Sequence, residues 1–463
     1  MYGFEINRDL ALPIAKQMEH QIRTAILDGK LVAGDRLLPT RSAARDLGIA
    51  RNTVIRVYEQ LSAEGYLVSR EGSGIYVADI GRLPQPKLLP SVQRSKPVKD
   101  KEEIAFDAGT PDIGAFPRNQ WAKLLKKACQ EAEAASFAYG DFAGNAILRK
   151  AISSYIYRMK GILCNEDQVI IIPGTAGGME ILAKVFQQGK RRIAVEDPCI
   201  HFVKCIFKDH YYELCPVEVD GQGIMVERLQ EYEDVDLIYT VPSHQFPMGG
   251  VLPATRRVAL LQYANRQNAY IIEDDYDSEF RYKGEVIQAM YSLDRERVIY
   301  LGSFSKIFAP SLRIGYMILP GHLCEQVIRL MQQSNLWVGG VEQLALAEFL
   351  EQKLMDRHIY RMRKLYENKR KHLIRYLTDA FGSRMEITGE SAGMHLLVSF
   401  DHALTEPELQ ALEKLGVEID SVEDYALVKG RNRNRIVLGY GGLTHAQMEE
   451  GVRRIKSAID HES

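Results

Sequence analysis

The chain has 463 residues, 46% of them hydrophobic and 26% charged, with a formal net charge of -2 at pH 7. This length indicates two or three domains, and the composition is that of an average globular protein. The near-neutral charge excludes a globally basic nucleic-acid binder or membrane-surface protein, although it leaves room for a local basic patch.

The six cysteines form no Cys-x-x-Cys pair and show no metal-like spacing, so we predict no metal site and a reducing compartment. The N-terminus lacks the basic start and apolar run of a signal peptide. No segment approaches the roughly 20 apolar residues that span a bilayer. We therefore expect a cytoplasmic protein with no membrane partner.

The first 78 residues predict a winged helix. Apolar periodicity and glycine breaks indicate three helices, at residues 11–30, from a capping Thr40 to Leu47, and from about Ala50 to Ala63. Two strands and the glycine-rich tip between them follow, at residues 66–70, 75–77 and 71–74. Residues 79–103 contain four prolines and ten charges without apolar periodicity, which predicts a linker or, alternatively, an extended arm on a domain surface.

The third of these helices carries most of the candidate DNA contacts. In a helix-turn-helix protein the second helix of the motif enters the major groove, where arginine reads guanine, asparagine reads adenine and short hydroxyls bind phosphates. The candidates near the start of that helix are Arg51, Asn52, Thr53 and Arg56. Arg41 is expected to contact the DNA backbone from the preceding helix, and Gly72 and Gly74 form the tip of the hairpin. Taken alone, such a helix could equally present an ordinary solvated face.

A longer series of residues decides between these interpretations. It consists of Pro13, Gly29, Leu31, Gly34, Leu37-x-Pro39-x-Arg41, Arg51-Asn52-Thr53-Val54, Tyr58-x-x-Leu61-x-x-Glu64-Gly65-Tyr66 and Gly72-Ser73-Gly74-x-Tyr76-Val77. The series resembles the GntR-type winged helix over nearly its whole length, which implies binding to double-stranded operator DNA. Ala50 stands where that family usually has a capping serine, a loss of about 1 kcal/mol of helix stability.

From residue 104 onward, apolar strands alternate with helices. The predicted strands are residues 168–172, 193–196, 237–240, 269–273, 298–300 and 313–319. A long helix from about Arg357 then leads to a C-terminal portion with strands at 394–398 and 436–438. This alternation predicts an α/β fold with a mostly parallel sheet covered on both faces.

The stretch Gly302-Ser303-Phe304-Ser305-Lys306, with Arg313 seven residues later, is the strongest chemical signal of the chain. A lysine there can form a Schiff base with the aldehyde of pyridoxal 5'-phosphate (PLP), while hydroxyls and a guanidinium bind its phosphate. Acids at 273–277 end a predicted strand, where one carboxylate can pair with the pyridine nitrogen. The glycine-rich turn at 174–178 can bind phosphate through backbone amides, and Tyr139 precedes a helix.

In this order and with these separations, the motifs resemble fold-type-I aminotransferases across residues 104–460. The resemblance implies that Lys306 is the Schiff-base lysine and that Asp274, or Asp275 if the register is shifted by one, pairs with the pyridine nitrogen. It also implies that Tyr276 binds the ring hydroxyl and that Tyr139 reaches in from a second subunit. The implied phosphate ligands are Thr175, Ala176, Ser303, Ser305 and Arg313.

The combination of both parts resembles the MocR subfamily of GntR-type regulators. Residues 240–247, Thr-Val-Pro-Ser-His-Gln-Phe-Pro, and 273–280, Glu-Asp-Asp-Tyr-Asp-Ser-Glu-Phe, are particularly similar to that subfamily. The resemblance implies a PLP-dependent bacterial transcription factor that forms a head-to-tail homodimer. It further implies a DNA-binding domain at 1–78, a linker at 79–103, and a PLP-binding, effector and dimerisation domain at 104–463.

Several positions depart from working aminotransferases. Phe246 stands where an asparagine usually bonds the ring hydroxyl, and the arginine that usually clamps a substrate α-carboxylate is displaced by two residues, to Arg435. A two-residue shift stays on one face of a strand, so Arg435 remains a candidate clamp. His201 or Phe202 is expected to stack on the ring, and Phe202 and Asp424 lie near positions where carboxylate-sensing relatives can place arginines. We therefore expect an effector other than a simple ω-amino acid.

These observations favour a regulator that binds operator DNA through residues 1–78 and senses PLP, or an amine or amino-acid effector, at Lys306. The alternative is an active PLP-dependent aminotransferase with a DNA-binding appendage, which Phe246 and the displaced arginine disfavour. A third alternative, a PLP-free repressor on an aminotransferase scaffold, is disfavoured by the intact Lys306, Asp274 and Arg313. We expect weak transamination at most.

Overall fold

The computed structural model describes residues 3–81, 103–138, 140–282, 284 and 287–460. The chain forms two compact units, Met1–Pro97 and Val98–Ser463. Most of the predicted linker, residues 82–102, lies outside the described residues. Among the helices that the structure describes, none is long and apolar enough to cross a membrane.

The first unit contains the predicted three helices and hairpin. Its elements are α1 (Ile14–Leu27), α2 (Thr40–Leu47), α3 (Arg51–Ala63), β1 (Leu67–Arg70) and β2 (Gly74–Val77). The two strands are antiparallel, with Leu67 opposite Val77. Apolar residues of all three helices, including Met18, Ala43 and Val54, are fully buried in one small core. This packing fixes α3 against α1 and α2 and leaves the polar face of α3 exposed.

The expected cap of α2 is corrected. Thr40 is the first residue of the helix, and Pro39 occupies the capping position without a side-chain hydrogen bond. The ring of Pro39 fixes φ but leaves no side-chain acceptor for the first helical N–H groups. The Thr40 hydroxyl instead accepts a hydrogen bond of 3.4 Å from Arg51 Nε. Ala50 precedes α3 without a side-chain cap, as expected from the sequence.

The second unit is an α/β assembly around an eight-stranded sheet. The strands of the unit are β3 (Ile104–Ala105), β4 (Val169–Ile172), β5 (Arg192–Asp197), β6 (Glu213–Asp220), β7 (Gly223–Ile224), β8 (Leu237–Thr240), β9 (Tyr270–Asp275), β10 (Val298–Ser303), β11 (Gly315–Ile318), β12 (Met385–Thr388), β13 (His395–Phe400), β14 (Val417–Glu418), β15 (Asp420–Ser421) and β16 (Arg435–Gly439). The large sheet has the order β4-β11-β10-β9-β8-β5-β6-β7. Neighbours from β10 to β6 run parallel, whereas β11 is antiparallel to both its neighbours and β7 to β6. The predicted mostly parallel sheet is confirmed.

Both faces of this sheet are covered. In β4, Val169 and Ile171 join one apolar core, whereas Ile170 and Ile172 join the other. Burial on both faces explains why the central strands are continuous apolar runs without polar alternation. The helices of the unit are α4 (Arg118–Glu131), α5 (Ala146–Lys160), α6 (Gly174–Val185), α7 (His201–Asp209), α8 (Ala254–Gln267), α9 (Gly321–Gln333), α10 (Gly340–Glu351), α11 (Leu354–Phe381), α12 (Glu406–Lys414), α13 (Val422–Tyr425) and α14 (His445–Asp460).

A smaller antiparallel sheet follows the long helix α11. Its strand order is β12-β13-β16-β15, and the short strand β14 pairs in parallel with β3. The pairing of β3 with β14 ties the start of the unit to its C-terminal part. The residues that follow β3 are thereby placed beside the C-terminal strands, because the backbone of Phe106 accepts a hydrogen bond from Gly439 N at 2.9 Å.

Candidate functional site

A cavity of about 450 Å³ in the second unit brings together most of the predicted cofactor residues. Eight of them line it: Thr175, Ala176, Asp274, Tyr276, Ser303, Ser305, Lys306 and Arg313. Tyr139, the phenol expected from a second subunit, lies outside the described residues. Seven of these eight residues come from the carboxyl ends of β9 and β10 and from the start of α6, where open α/β sheets bind ligands, and Arg313 comes from the turn before β11.

The start of α6 and Arg313 form one side of the cavity. Thr175 and Ala176 lie in the first helical turn, whose backbone N–H groups have no partner within the helix and suit an anion. Gly174 has a φ of 76°, and a Cβ there would lie 2.8 Å from Arg313 Nη2. The positive φ favours glycine, and a Cβ here would displace the guanidinium, which donates a 3.1 Å hydrogen bond to the carbonyl of Pro173.

The position of Arg313 corrects the predicted strand 313–319. The strand β11 begins only at Gly315, after a single 3-10 turn at Pro310–Leu312. Arg313 ends that turn in the left-handed conformation, with φ 51° and ψ 34°. A turn, rather than strand alternation, therefore aims its side chain at the cavity.

Lys306 lies in the turn after β10. Ser303 is the last residue of that strand, and its hydroxyl accepts a 3.1 Å hydrogen bond from Ser305 N. The Lys306 amine donates a 2.5 Å hydrogen bond to the carbonyl of Gly109. Burial lowers the pKa of Lys306, an effect only partly offset by nearby carboxylates. A lowered pKa increases the share of neutral amine, which is the nucleophilic form.

Asp274 faces the same cavity from β9. Tyr239 donates a 2.9 Å hydrogen bond to its Oδ2, whereas its Oδ1 has no hydrogen-bond partner among the described residues. The side chain is 3% exposed, and this burial raises its pKa to about 7. An unpartnered buried carboxylate oxygen is costly unless a donor reaches it. The N–H of a protonated pyridine is such a donor, so the residues present fit PLP.

The neighbouring Asp275 does not line the cavity. It accepts hydrogen bonds from Lys160 Nζ at 2.9 Å and from the Tyr300 hydroxyl at 2.7 Å. The same lysine lies 2.9 Å from Glu279, so this buried charge is shared between two carboxylates. One oxygen of Asp275 also lacks a partner among the described residues, but Lys160 already balances its charge. The geometry therefore favours Asp274 over Asp275 as the pyridine partner.

Tyr276 and Phe246 lie side by side in the lining. The Tyr276 hydroxyl is 3.3 Å from His244 Nδ1 and 3.4 Å from the His244 carbonyl. The ring of Phe246 packs edge-on against Tyr276 and Tyr425, with centroid distances of 6.3 and 4.9 Å. Because Phe246 has no donor, it cannot replace the hydrogen bond that an asparagine makes to the ring hydroxyl.

The remaining expectations for this site divide into two groups. His201 and Phe202, the stacking candidates at the start of α7, both line the cavity. Arg435 does not: it donates a 3.0 Å hydrogen bond to Asn432 and lines a separate cavity beside Asp197. Asp424 likewise lines a different cavity.

Four residues at this site carried no motif in the sequence. Asp107, Gly109 and Tyr425 line the cavity, and Tyr239 holds Asp274. The turn-forming run Asp107-Ala-Gly-Thr-Pro after an apolar segment was a detectable loop signal. The two tyrosines had none, since a tyrosine in a strand or a short helix is usually a packing residue.

The first unit presents the candidate DNA contacts on two helices and one hairpin. Arg51, Asn52 and Arg56 are exposed on α3, Thr53 is half-buried beside them, and Arg41 is exposed at the second position of α2. The hairpin tip is built from glycines with positive φ, 71° at Gly72 and 121° at Gly74. Two arginines and an amide at the start of an exposed helix suit base edges and phosphates.

Comparison with known proteins identifies both units. Residues 14–77 match the family of bacterial regulatory proteins of the gntR type, and residues 101–455 match aminotransferase class I and II. The chain is 34% identical to the uncharacterized HTH-type transcriptional regulator YdeL of Bacillus subtilis, over 98% of both chains. It is also 34% identical to the probable rhizopine catabolism regulatory protein MocR of Rhizobium meliloti, over 98% of this chain and 95% of that one.

The chain belongs to the MocR-type regulators of the GntR family.

A further regulator of this group, the pyridoxine biosynthesis regulator PdxR of Corynebacterium glutamicum, is 30% identical over 96% of both chains. Among solved structures, kynurenine aminotransferase from Pyrococcus horikoshii matches 78% of this chain and 92% of its own, with a TM-score of 0.72 and 25% identity. A multiple substrate aminotransferase from Thermococcus profundus matches 79% and 93%, with a TM-score of 0.72 and 27% identity. This MocR-type protein is therefore a transcriptional regulator with an aminotransferase-like domain of a PLP-dependent family, and regulation is favoured over amino transfer.

Proposed function

We propose that this regulator binds operator DNA through residues 1–78 and changes that binding according to the occupancy of the Lys306 cavity by PLP or by an amine effector. The observation that supports the proposal is the convergence of Lys306, Arg313 and the unpartnered Asp274 oxygen on one cavity. An amine of lowered pKa and a carboxyl of raised pKa that line the same cavity mark it as a candidate functional site.

When bound, PLP supplies an aldehyde that condenses with a primary amine and a ring that withdraws electrons. Lys306 would provide the amine, and Asp274 would hold a proton on the pyridine nitrogen. The phosphate would be bound by Arg313 together with four other lining residues: Thr175, Ala176, Ser303 and Ser305. Tyr276 would donate to the ring hydroxyl. Tyr139 of a second subunit is proposed to complete the site.

We also propose the larger organisation of the protein. The DNA-binding domain spans 1–78, the linker 79–103 and the sensor domain 104–463, and two chains form a head-to-tail homodimer in the cytoplasm. A dimer is supported by the two-fold operators that helix-turn-helix proteins commonly bind. Sustained aminotransferase turnover is disfavoured, because Phe246 removes a polar contact to the cofactor and Arg435 lies outside the lining.

A gel shift with the DNA immediately upstream of the protein's own gene tests this proposal. The full-length protein is compared without cofactor, with PLP, and as Lys306→Ala with PLP. Lys364→Ala, which removes an exposed lysine of α11, serves as the matched control. We expect PLP to change operator affinity in the wild type and in Lys364→Ala but not in Lys306→Ala.

Two outcomes contradict the proposal. If wild type and Lys306→Ala respond alike to PLP, Lys306 has no sensing role. If the wild type acquires no visible absorbance from bound PLP, the cavity does not hold the cofactor. Rapid, repeated amino transfer with an amino acid and a keto acid would support the enzyme instead.

A further inference from the structure

The charges that line the Lys306 cavity restrict the effector. Among the described lining residues, the lysine and arginine side chains are Lys306 and Arg313, and the proposed function assigns both to the cofactor. The acidic lining residues are Asp274, which would pair with the pyridine nitrogen, and Asp107. Asp107 is therefore the charged lining residue without a cofactor role.

Asp107 is held in place close to Lys306. One of its oxygens accepts a 2.6 Å hydrogen bond from Gly109 N, and the other accepts one from the Thr110 hydroxyl. A Cβ on Gly109 would lie 2.9 Å from Asp107 Oδ1 and 3.1 Å from Lys306 Nζ. The carboxylate oxygen and the amine are thus within about 6 Å of each other, a range over which charges interact strongly.

The neighbours of Asp107 add negative charge. The Tyr425 hydroxyl, beside the cavity, donates a 2.7 Å hydrogen bond to Asp420. Burial, followed by repulsion from Asp107 and Asp424, raises the pKa of Asp420. The Lys204 amine bonds the backbone carbonyl of Tyr425 at 2.5 Å but does not line the cavity. An anionic ligand group placed here would meet carboxylates of the described chain.

A ligand carboxylate is usually bound by an arginine, but the candidate arginine of this chain does not line the Lys306 cavity. Arg435, the candidate clamp, is held by Asn432 in a separate cavity. His201, the remaining basic residue of the lining, is the first residue of α7, and its Nε2 lies 3.2 Å from the sulfur of Cys205. The side of the cavity next to Asp107 is consequently suited to a cation.

We propose that the effector is a short aliphatic diamine, or a related amine with a second cationic group, which places one amino group beside Lys306 and the other on Asp107. This inference rests on the proposed function, since it names the ligand class of the same cavity. An ω-amino acid of equal length would place its carboxylate against Asp107, and repulsion would weaken its binding. A simple monoamine would bind without the contribution of Asp107.

Calorimetric titration of the PLP-loaded, full-length protein tests the inference with three probes: 1,4-diaminobutane, butylamine and 4-aminobutanoate. We expect the diamine to bind at least about tenfold more tightly than either other probe. The same order should appear in the concentrations that change operator binding in a gel shift. The inference is overturned if 4-aminobutanoate binds as tightly as the diamine, or if no probe binds.

Two variants assign the effect to one carboxylate. Asp107→Asn keeps an acceptor for Gly109 N and is expected to lower diamine affinity about tenfold while leaving butylamine affinity unchanged. Asp379→Asn removes the same charge from an exposed residue of α11 that does not line the cavity, so it should retain the diamine preference. An Asp107→Asn protein that keeps the wild-type preference overturns the inference.

PLP uptake is measured by visible absorbance before each titration. This measurement separates a failure of the proposed function from a failure of the inferred effector class. A wild-type protein that takes up no PLP refutes the proposed function and this inference together. A protein that takes up PLP but does not distinguish the three probes refutes only the inference. Equal PLP uptake and equal Tm for both asparagine variants show that they are folded.

Discussion

Replacing Asp274 by asparagine should stabilise the cofactor-free protein at pH 8 and weaken its binding of PLP. The carboxyl is 3% exposed, and one oxygen has no hydrogen-bond partner among the described residues. Without the cofactor, ionising this buried group opposes folding. With the cofactor, the same charge would pair with the pyridinium. One substitution is therefore expected to have effects of opposite sign.

The magnitude follows from the raised pKa. Burial moves the pKa of Asp274 from 3.8 to about 7, a shift of about 3 units. At about 1.4 kcal/mol per unit, ionised Asp274 costs up to about 4 kcal/mol. Because the folded state holds this proton more tightly than the unfolded state, stability is highest at low pH and falls as pH rises from about 4 to about 7.

Asparagine avoids this cost but introduces a smaller one. Its side-chain oxygen can still accept the hydrogen bond from Tyr239, while its N–H groups take the position where Asp274 Oδ1 lacks a partner. An unsatisfied buried donor costs about 1–3 kcal/mol. The net gain for the cofactor-free protein at pH 8 is therefore about 1–3 kcal/mol, or a few degrees in Tm.

Thermal unfolding at pH 6 and pH 8, with and without PLP, measures both effects. Burial also raises the pKa values of Glu196 and Glu273 to about 7. The Tm of the wild type should therefore be lower at pH 8 than at pH 6. The variant keeps both glutamates, and its difference from wild type isolates Asp274. Asp275→Asn is the matched control: it removes a charge paired with Lys160 and should destabilise the protein at both pH values. The reasoning is refuted if Asp274→Asn lowers Tm at pH 8, or if PLP raises its Tm as much as that of the wild type.

Three further predictions address other parts of the molecule. Lys160→Met should lower the free energy of unfolding by about 3–5 kcal/mol in a denaturant titration, because two buried carboxylates lose their counter-charge; an unchanged midpoint would contradict this. Gly174→Ala should lower PLP affinity at least about tenfold in a spectroscopic titration, since a Cβ would lie 2.8 Å from Arg313 Nη2; wild-type affinity would show that the turn yields freely. Arg51→Ala should weaken operator binding by about 1–3 kcal/mol in a gel shift, whereas Arg23→Ala, whose guanidinium is bound to a glutamate at 2.6 Å, should not; equal losses would argue against α3 as the reading helix.

Local patterns were sufficient for the order of the elements and for the main motifs. The helices of the first unit and the strands β4 and β8 appear close to their predicted bounds, because apolar periodicity and glycine breaks act over a few residues. The lysine after β10 is likewise a local signal, since Ser303, Ser305 and Lys306 lie within four consecutive positions. The cap of α2 was the local exception: Pro39 occupies the capping position, and Thr40, which was expected to be the cap, is the first residue of the helix.

The choice between adjacent residues depended on packing. Asp274 and Asp275 are consecutive on β9, so their side chains point to opposite faces of the sheet, and composition cannot say which face holds the cavity. The structure resolves this through distant partners, with Tyr239 on β8 beside Asp274 and Lys160 at the end of α5 beside Asp275.

By itself, the sequence determined the fold class, the division into a winged helix and an α/β unit, and the motifs that line the cavity. Each of these depends on patterns within short segments. Only the tertiary structure decided which charges share that cavity. Asp107 and Tyr425 are separated by more than 300 positions, yet both line it, and Arg435, close in sequence to Tyr425, does not. The pairing of β3 with β14 is a long-range contact that no local pattern encodes, and it places Asp107 beside the C-terminal strands.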